Sequence, residues 1–509
     1  MQIEPHEPNQ HSEADAPHKG LAKDSVSLLG SVVLGISCVA PAYTLTATLG
    51  LVAAEAGLQM PVIFIAGFLP MFLAAYAYRE LNLVSPDCGT SFTWTTKAFG
   101  PYVGWLGGWA ALLATVIVLS NLAGVAVQFF YQFIGDVVGS ETVSELWQNK
   151  AVAVVTCLIF IAVAAAVAYR GITTTEHVQF VLVGFQMAML VIFAVAAIVR
   201  SGSAQTGLAF DISWFGVGGL TLSAFIAGLS GSIFAFWGWD SCLTVNEESK
   251  DADQVPGRAA LLAVTSILAT YLLLAVATQM YAGVGEEGLG LNNPETSENV
   301  LGALAAPVLG QPLNLLLFLA VLASSAASLM TTFLPTTRTM LAMGRYGALP
   351  ARFATIHPKH QTPSYATVVS AVVAGLFYSV LTVFSENVLL DTIYSLGIMI
   401  CFYYGLTAFA CIWYFRTELF ENVNSIVFKF LAPLLGGIVL VGVLLVTLRD
   451  SASPDYGSGA SIGGVGLVLI LGLGLILVGV FLMLYLRRRH PAFFRGETLR
   501  RDTPAFVAD

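Results

Sequence analysis

Apolar residues in this chain gather in blocks, set apart by short polar stretches. Most blocks run to roughly 20–30 residues, enough to cross a hydrocarbon core about 30 Å thick at about 1.5 Å of helix rise per residue. Inside lipid each segment must satisfy its own backbone, so the blocks predict helices. The alternating ten-residue pattern of a membrane barrel is not seen. The predicted spans are 25–53, 60–83, 101–132, 151–169, 173–199, 220–246, 257–282, 311–343, 363–384, 388–415, 427–448 and 461–486. The fold class expected is therefore an all-α integral membrane protein with twelve transmembrane helices.

Composition supports a lipid solvent. Of 509 residues, 57% are apolar and 10% charged, against about a quarter charged in soluble domains. The Lys and Arg residues set the sidedness. With the N-terminus inside, 19 of the 22 fall on the inner side, and only Lys150, Arg200 and Arg449 fall outside. A missed span would scramble that asymmetry. Acidic residues gather in the outer loops at Asp136, Glu141, Glu145, Glu286, Glu287, Glu295 and Glu298. Residues 1–24 (His6, His11, Glu13, Asp15, His18, Lys19) read as a solvated cytoplasmic tail rather than a secretory signal. Residues 487–509 read as a basic cytoplasmic tail. The six cysteines lack metal-ligand spacing and read as packing residues. The net charge of −9 carries little information about partners. The expected partners are the bilayer and a small solute, without nucleic acid, and the sequence is silent on oligomeric state.

Two spans are interrupted at corresponding places. The first contains Gly35-Ile36-Ser37-Cys38-Val39-Ala40-Pro41-Ala42-Tyr43, where Pro41 lacks an N–H and clashes with the preceding turn. The sixth contains Phe234-Ala235-Phe236-Trp237-Gly238-Trp239-Asp240-Ser241. These are the first members of two successive groups of five, residues 25–199 and 220–415, with 427–486 left as two extra helices. Broken helices at matching positions point to an inverted-repeat transporter with a midplane site. The helix start after the first break suits a carboxylate, and unwound carbonyls of the sixth span suit an ammonium group. A zwitterionic amino acid matches both ends.

At these residues the chain resembles the amino acid–polyamine–organocation permease family. Val245-Asn246-Glu247-Glu248-Ser249-Lys250 with Val255-Pro256-Gly257-Arg258-Ala259 is similar to the family's stretch after the sixth span. Leu83-Val84-Ser85-Pro86, Cys88 to Trp94 and Phe99-Gly100-Pro101 resemble its loop between spans 2 and 3. Thr337 to Pro350 resembles its signature after span 8. The resemblance covers spans 1 to 10. It implies a five-plus-five inverted repeat with discontinuous helices 1 and 6. It also implies that Ser37, Cys38, Val39, Ala40 and Ala42 cradle the substrate carboxylate, and that Phe234, Ala235, Trp237 and Gly238 meet its ammonium group and side chain. The break here is Ala40-Pro41-Ala42 where the family is typically glycine-rich.

No cofactor is expected beyond a coupling ion, sodium or a proton. Many proton-coupled members carry a lysine midway along span 5. Alignment from Gly171-Ile172 puts Gln186 there, and an amide cannot titrate. Ser324 and Ser325 on span 8 form a candidate sodium site, since a hard cation prefers oxygen ligands; close-spaced small residues are equally common in helix packing. Asp240 is an intramembrane acid, hence a gating or coupling candidate. It also keeps a polyamine or cationic amino acid in play beside the neutral amino acid that Trp237, Phe234 and Cys38 favour. Exchange is a further alternative mode. Glu247 and Glu248 read as structural, capping a helix or pairing with Arg258 or Arg338. No HExxH, GxSxG or GxxxxGK[ST] motif supports an enzyme. Pore-lining charge rings of a channel are not evident, and a non-transporting sensor ranks behind a carrier.

Overall fold

The computed structural model describes residues 19–204, 206–384 and 388–504. Residues 1–18 of the expected N-terminal tail, with His6, His11, Glu13, Asp15 and His18, lie outside the described residues, as do 505–509 of the C-terminal tail.

Among the described residues, ten helical runs are long and apolar enough to cross a membrane. One of them, Leu28–Val84, holds both of the first two expected spans. It comprises α1 (Leu28–Val39), α2 (Pro41–Ala56) and α3 (Met60–Val84), with a 3-10 turn at Gly57–Gln59 between the last two. A short helix not expected from hydropathy, α4 (Ser91–Phe99), follows. It stops at Gly100 (φ 89°), and Pro101 opens α5 (Pro101–Val138), the position where a missing N–H is harmless.

Then come α6 (Lys150–Tyr169), α7 (Ile172–Ser201) and the shorter apolar helix α8 (Leu222–Ala235). The expected sixth span falls short because its helix ends at the Trp237–Gly238 region. The second half continues with α9 (Val255–Ala282), α10 (Val300–Leu309) in a loop region, α11 (Asn314–Arg345), α12 (Ser364–Phe384) and α13 (Val388–Tyr414). A π-helical turn at Ser425–Leu431 leads into α14 (Ala432–Asp450). A small hairpin pairs Ser461–Ile462 with Val465–Gly466. The last apolar run, Leu467–Arg489, ends in α15 (Leu475–Arg489).

Helices α5 and α11 pack along each other at the centre. By contrast α6 and α12 turn Val155, Ile159, Val163, Val368, Val372 and Leu376 outward. Apolar side chains that water would reject suit contact with lipid tails, so these helices form the lipid-facing rim. The broken helices α1–α2 and α8 are enclosed by α3, α9, α11 and α13.

Candidate functional site

Helix α1 ends at Ala40, whose backbone is left-handed (φ 54°, ψ 66°). A non-glycine residue held there costs on the order of 1–3 kcal/mol, and persists only where its surroundings impose it. The surroundings here are hydroxyls. The side chains of Thr44 and Ser328 donate to the carbonyls of Val39 (2.6 Å) and Cys38 (2.8 Å). The Tyr43 N–H, near the start of α2, donates to Ser324 Oγ at 3.3 Å. Thus the hydrogen bonds lost at the break are replaced by side chains of α2 and α11.

The second break spans Phe236 to Asp240, with Gly238 at φ 108°. Tyr271 on α9 donates to the freed carbonyl of Ala235 (2.6 Å). Trp237 Nε1 donates to the Tyr403 hydroxyl (2.6 Å), and the Tyr404 hydroxyl donates to Asp240 Oδ1 (2.7 Å). Tyr404 stacks on Trp239, and Tyr78 meets both rings edge-on. Asp240 is therefore a buried carboxylate in an aromatic box. The two breaks touch. A Cβ at Gly238 would lie 3.1 Å from the Cys38 carbonyl carbon and 3.2 Å from its oxygen.

The residues expected to line the site, Ser37, Cys38, Val39, Ala40, Ala42, Phe234, Ala235, Trp237 and Gly238, are all buried at these two facing breaks. Ser324 and Ser325 lie on α11 beside them; the Ser325 hydroxyl is buried without a partner among the described residues. Gln186 is buried on α7, and neither polar atom of its amide finds a partner among the described residues. Gln179, two turns earlier, makes the link between helices instead. It accepts from Ser37 Oγ (2.6 Å) and donates to the Ala327 carbonyl (3.0 Å), joining the first break to α11. Sequence reasoning also missed Tyr271, Tyr403 and Tyr404. Their one signal was a polar tip inside an apolar block.

One end of the molecule is tightly closed. Lys19, read as part of a solvated tail, is fully buried. It pairs with Asp87 Oδ2 (2.7 Å) and Glu247 Oε1 (2.5 Å). Tyr346, at the end of α11, donates to the same Asp87 oxygen (2.7 Å), and the Cys88 N–H donates to Glu247. Two carboxylates in a buried pocket need a counter-charge, and the tail supplies it. Burial alone would lower the Lys19 pKa, but Asp87 and Glu247 raise it well above the usual value. Burial pushes Asp87 up, yet the adjacent Lys19 outweighs it and holds the carboxyl at about 2. At Glu247 burial wins and the carboxyl is raised. Next to this cluster Glu248 forms a two-pronged pair with Arg338 (2.8 and 2.9 Å). Arg258 instead donates to Gln254. Val26 forms a parallel bridge with Ser249, so residues 19–26 strap the ends of α3, α11 and the second break together.

The opposite end holds a cavity of about 580 Å³ along the C-terminal half of α5, with Glu295 and Glu298 on its wall. That α5 and α11 run antiparallel places it there: Asn314, at the start of α11, donates to Asp136 near the end of α5 (2.8 Å).

Comparison with known proteins gives one family. Residues 25–459 match the profile of the family described as "Amino acid permease". A methylthioribose transporter of Bacillus subtilis (strain 168) is 24% identical over 374 residues, covering 71% of this chain and 76% of the relative. The low-affinity putrescine importer PlaP of Escherichia coli (strain K12) is 24% identical over 440 residues, covering 84% and 90%. The branched-chain amino acid permease BcaP of Lactococcus lactis subsp. cremoris (strain MG1363) is 22% identical over 322 residues, covering 62% and 66%.

Proposed function

The chain belongs to the amino acid permease family, and from that premise we propose that it is a secondary carrier of amino acids with neutral side chains. As a member of that family it is a multi-pass membrane transporter and not an enzyme. The observation that carries the finer reading is the contact between the two breaks, Gly238 against the Cys38 backbone. It brings the amide end of α2 and the interrupted sixth span to one point between α9, α11 and α13. The substrate carboxylate is assigned to Ser37, Cys38, Val39, Ala40 and Ala42, and the ammonium group to Phe234, Ala235, Trp237 and Gly238. The reading counts twelve spans: Leu28–Val84 is taken as two, and α8 with the short helix Ser241–Thr244 as the sixth.

In this reading the Lys19 cluster closes the cytoplasmic side of the plasma membrane, and both termini face the cytoplasm. That assignment rests on the lysine and arginine asymmetry. Alternating access then requires the strap at residues 19–26 to part as the far cavity shuts. Ser324 and Ser325 are the proposed sodium ligands, because the Ser325 hydroxyl is buried and unbonded among the described residues. The competing driver is a proton taken at Asp240.

A cationic substrate is the second reading. Asp240 sits among Tyr78, Trp239 and Tyr404, and an aromatic-walled carboxylate suits an ammonium group by charge and by cation–π attraction. The test begins with thermal shifts of the purified protein against the twenty protein amino acids and putrescine, since a ligand of the folded state raises stability. Uptake into proteoliposomes follows, with sodium and proton gradients imposed separately. A neutral amino acid is expected to stabilise and to be accumulated. Stabilisation by putrescine or arginine alone would favour the second reading, and uptake indifferent to sodium would remove Ser324 and Ser325.

A further inference from the structure

Resting on the carrier reading above, we propose that the cavity opposite the Lys19 cluster is a second substrate subsite. It would hold a solute that bears both an ammonium group and an oxygen acceptor, an amino acid rather than a diamine, before that solute reaches the paired breaks. The cavity is about 580 Å³, far larger than a single water needs. Its polar wall is made mainly of neutral amides, among them Asn121, Gln128, Gln132 and Asn299. Such groups donate and accept at once, so they solvate a zwitterion without binding it tightly.

The wall also carries an unmet donor. Asn121 is buried and accepts from Thr392 Oγ1 at 2.9 Å. Its NH2 group is enclosed and has no partner among the described residues. Beside it lies the Tyr43 hydroxyl, also buried and unpartnered, the two standing outside hydrogen-bond geometry. A buried donor left unmade costs about 1–3 kcal/mol. Two of them side by side form a place where a ligand oxygen regains what the fold has given up. Tyr43 belongs to the first break, and its own N–H holds Ser324. Through Asn121, the one of the two that lines the cavity, the subsite therefore adjoins the first break. The same cavity wall carries three exposed charged side chains, Glu295, Glu298 and Lys150; the two acids attract the ammonium end and the lysine attracts the oxygen end. A diamine satisfies the acids but offers nothing to Asn121 and Tyr43.

The test uses the full chain in proteoliposomes. All six native cysteines are buried, so Gln128→Cys introduces one accessible thiol. A charged, membrane-impermeant methanethiosulfonate is the probe, and the twenty amino acids and putrescine are the competitors. The amino acid that wild type takes up is expected to slow labelling about threefold or more, and putrescine to leave it unchanged. Protection is expected to persist in Gly238→Ala, where the paired breaks are disturbed. Glu295→Gln with Glu298→Gln is expected to raise KM about threefold at unchanged Vmax, the mark of lost ground-state binding. Uptake by wild type with unprotected Gln128→Cys and an unchanged KM would overturn the subsite, leaving the carrier intact. Protection that vanishes in Gly238→Ala would also overturn it, because labelling would then report the central site alone. No uptake of any competitor would overturn the carrier reading, and the subsite with it.

Discussion

At the scale of single residues, Lys19 shows how far a polar tail can be from a solvated one. Its ammonium group is enclosed by Asp87, Glu247 and the Tyr346 ring. Removing one member of a buried ion pair strands the others at a cost of about 3–5 kcal/mol. Lys19→Met is therefore expected to lower the melting temperature of the detergent-purified protein clearly, and Lys19→Arg less so. The cluster also sets a pH response. Asp87 is held low, so its contribution is present above the ordinary carboxylate range and is lost only as pH falls towards about 2. Glu247 is raised by burial, so its ionisation costs stability as pH climbs above the ordinary carboxylate range. Glu247→Gln keeps an acceptor for Lys19 and the Cys88 N–H. Its melting temperature relative to wild type is expected to be higher at pH 7.5 than at pH 5. An equal difference at both pH values would contradict the assignment. None of this was legible beforehand, because Lys19 stands 68 residues from Asp87 and 228 from Glu247. Local pattern carries no trace of such a pairing. The same holds for Gln179, whose bonds to Ser37 and Ala327 depend on how α7 leans on α11.

At the scale of elements, the breaks were readable and their chemistry was not. Pro41 among small and polar neighbours, and Gly238 beside an intramembrane acid, mark the interruptions, whereas Pro70 and Pro335 stay inside continuous helices. Which groups satisfy the freed carbonyls depends on neighbours distant in sequence: Ser328 on α11 for Cys38, Tyr271 on α9 for Ala235. Helices α4 and α10 were missed because each is too short to register as a span. The break geometry makes two predictions. Ala40 lies in a left-handed conformation that a β-branched residue resists strongly. Ala40→Val should abolish uptake and lower melting temperature, whereas Ala40→Gly should leave both near wild type. Tyr404→Phe removes a hydroxyl that donates to Asp240. It should alter the pH profile of uptake if Asp240 carries the proton, and leave that profile unchanged if sodium is the driver.

At the scale of the whole molecule, the fold was the most legible part. Hydropathy describes a lipid-facing helical bundle, and α6 and α12 do turn their apolar faces outward. The asymmetry of the two ends was not legible: one is strapped by residues 19–26 and the other opens into a 580 Å³ cavity. In the proposed carrier, that difference corresponds to closure on one side. Disrupting the strap with Lys19→Met should raise hydrogen exchange at residues 85–90 and 246–249 above that of Lys19→Arg. The central claim is that substrate passes where the two breaks meet. It is tested most directly by uptake of the stabilising amino acid into proteoliposomes containing wild type or Gly238→Ala. A Cβ at that glycine would crowd the Cys38 backbone and sit in a conformation side chains rarely adopt. The account predicts saturable, stereoselective uptake by wild type and a loss of at least about tenfold in Vmax/KM, roughly 1.4 kcal/mol, in a variant that still reconstitutes. Uptake by Gly238→Ala equal to that of wild type would contradict it.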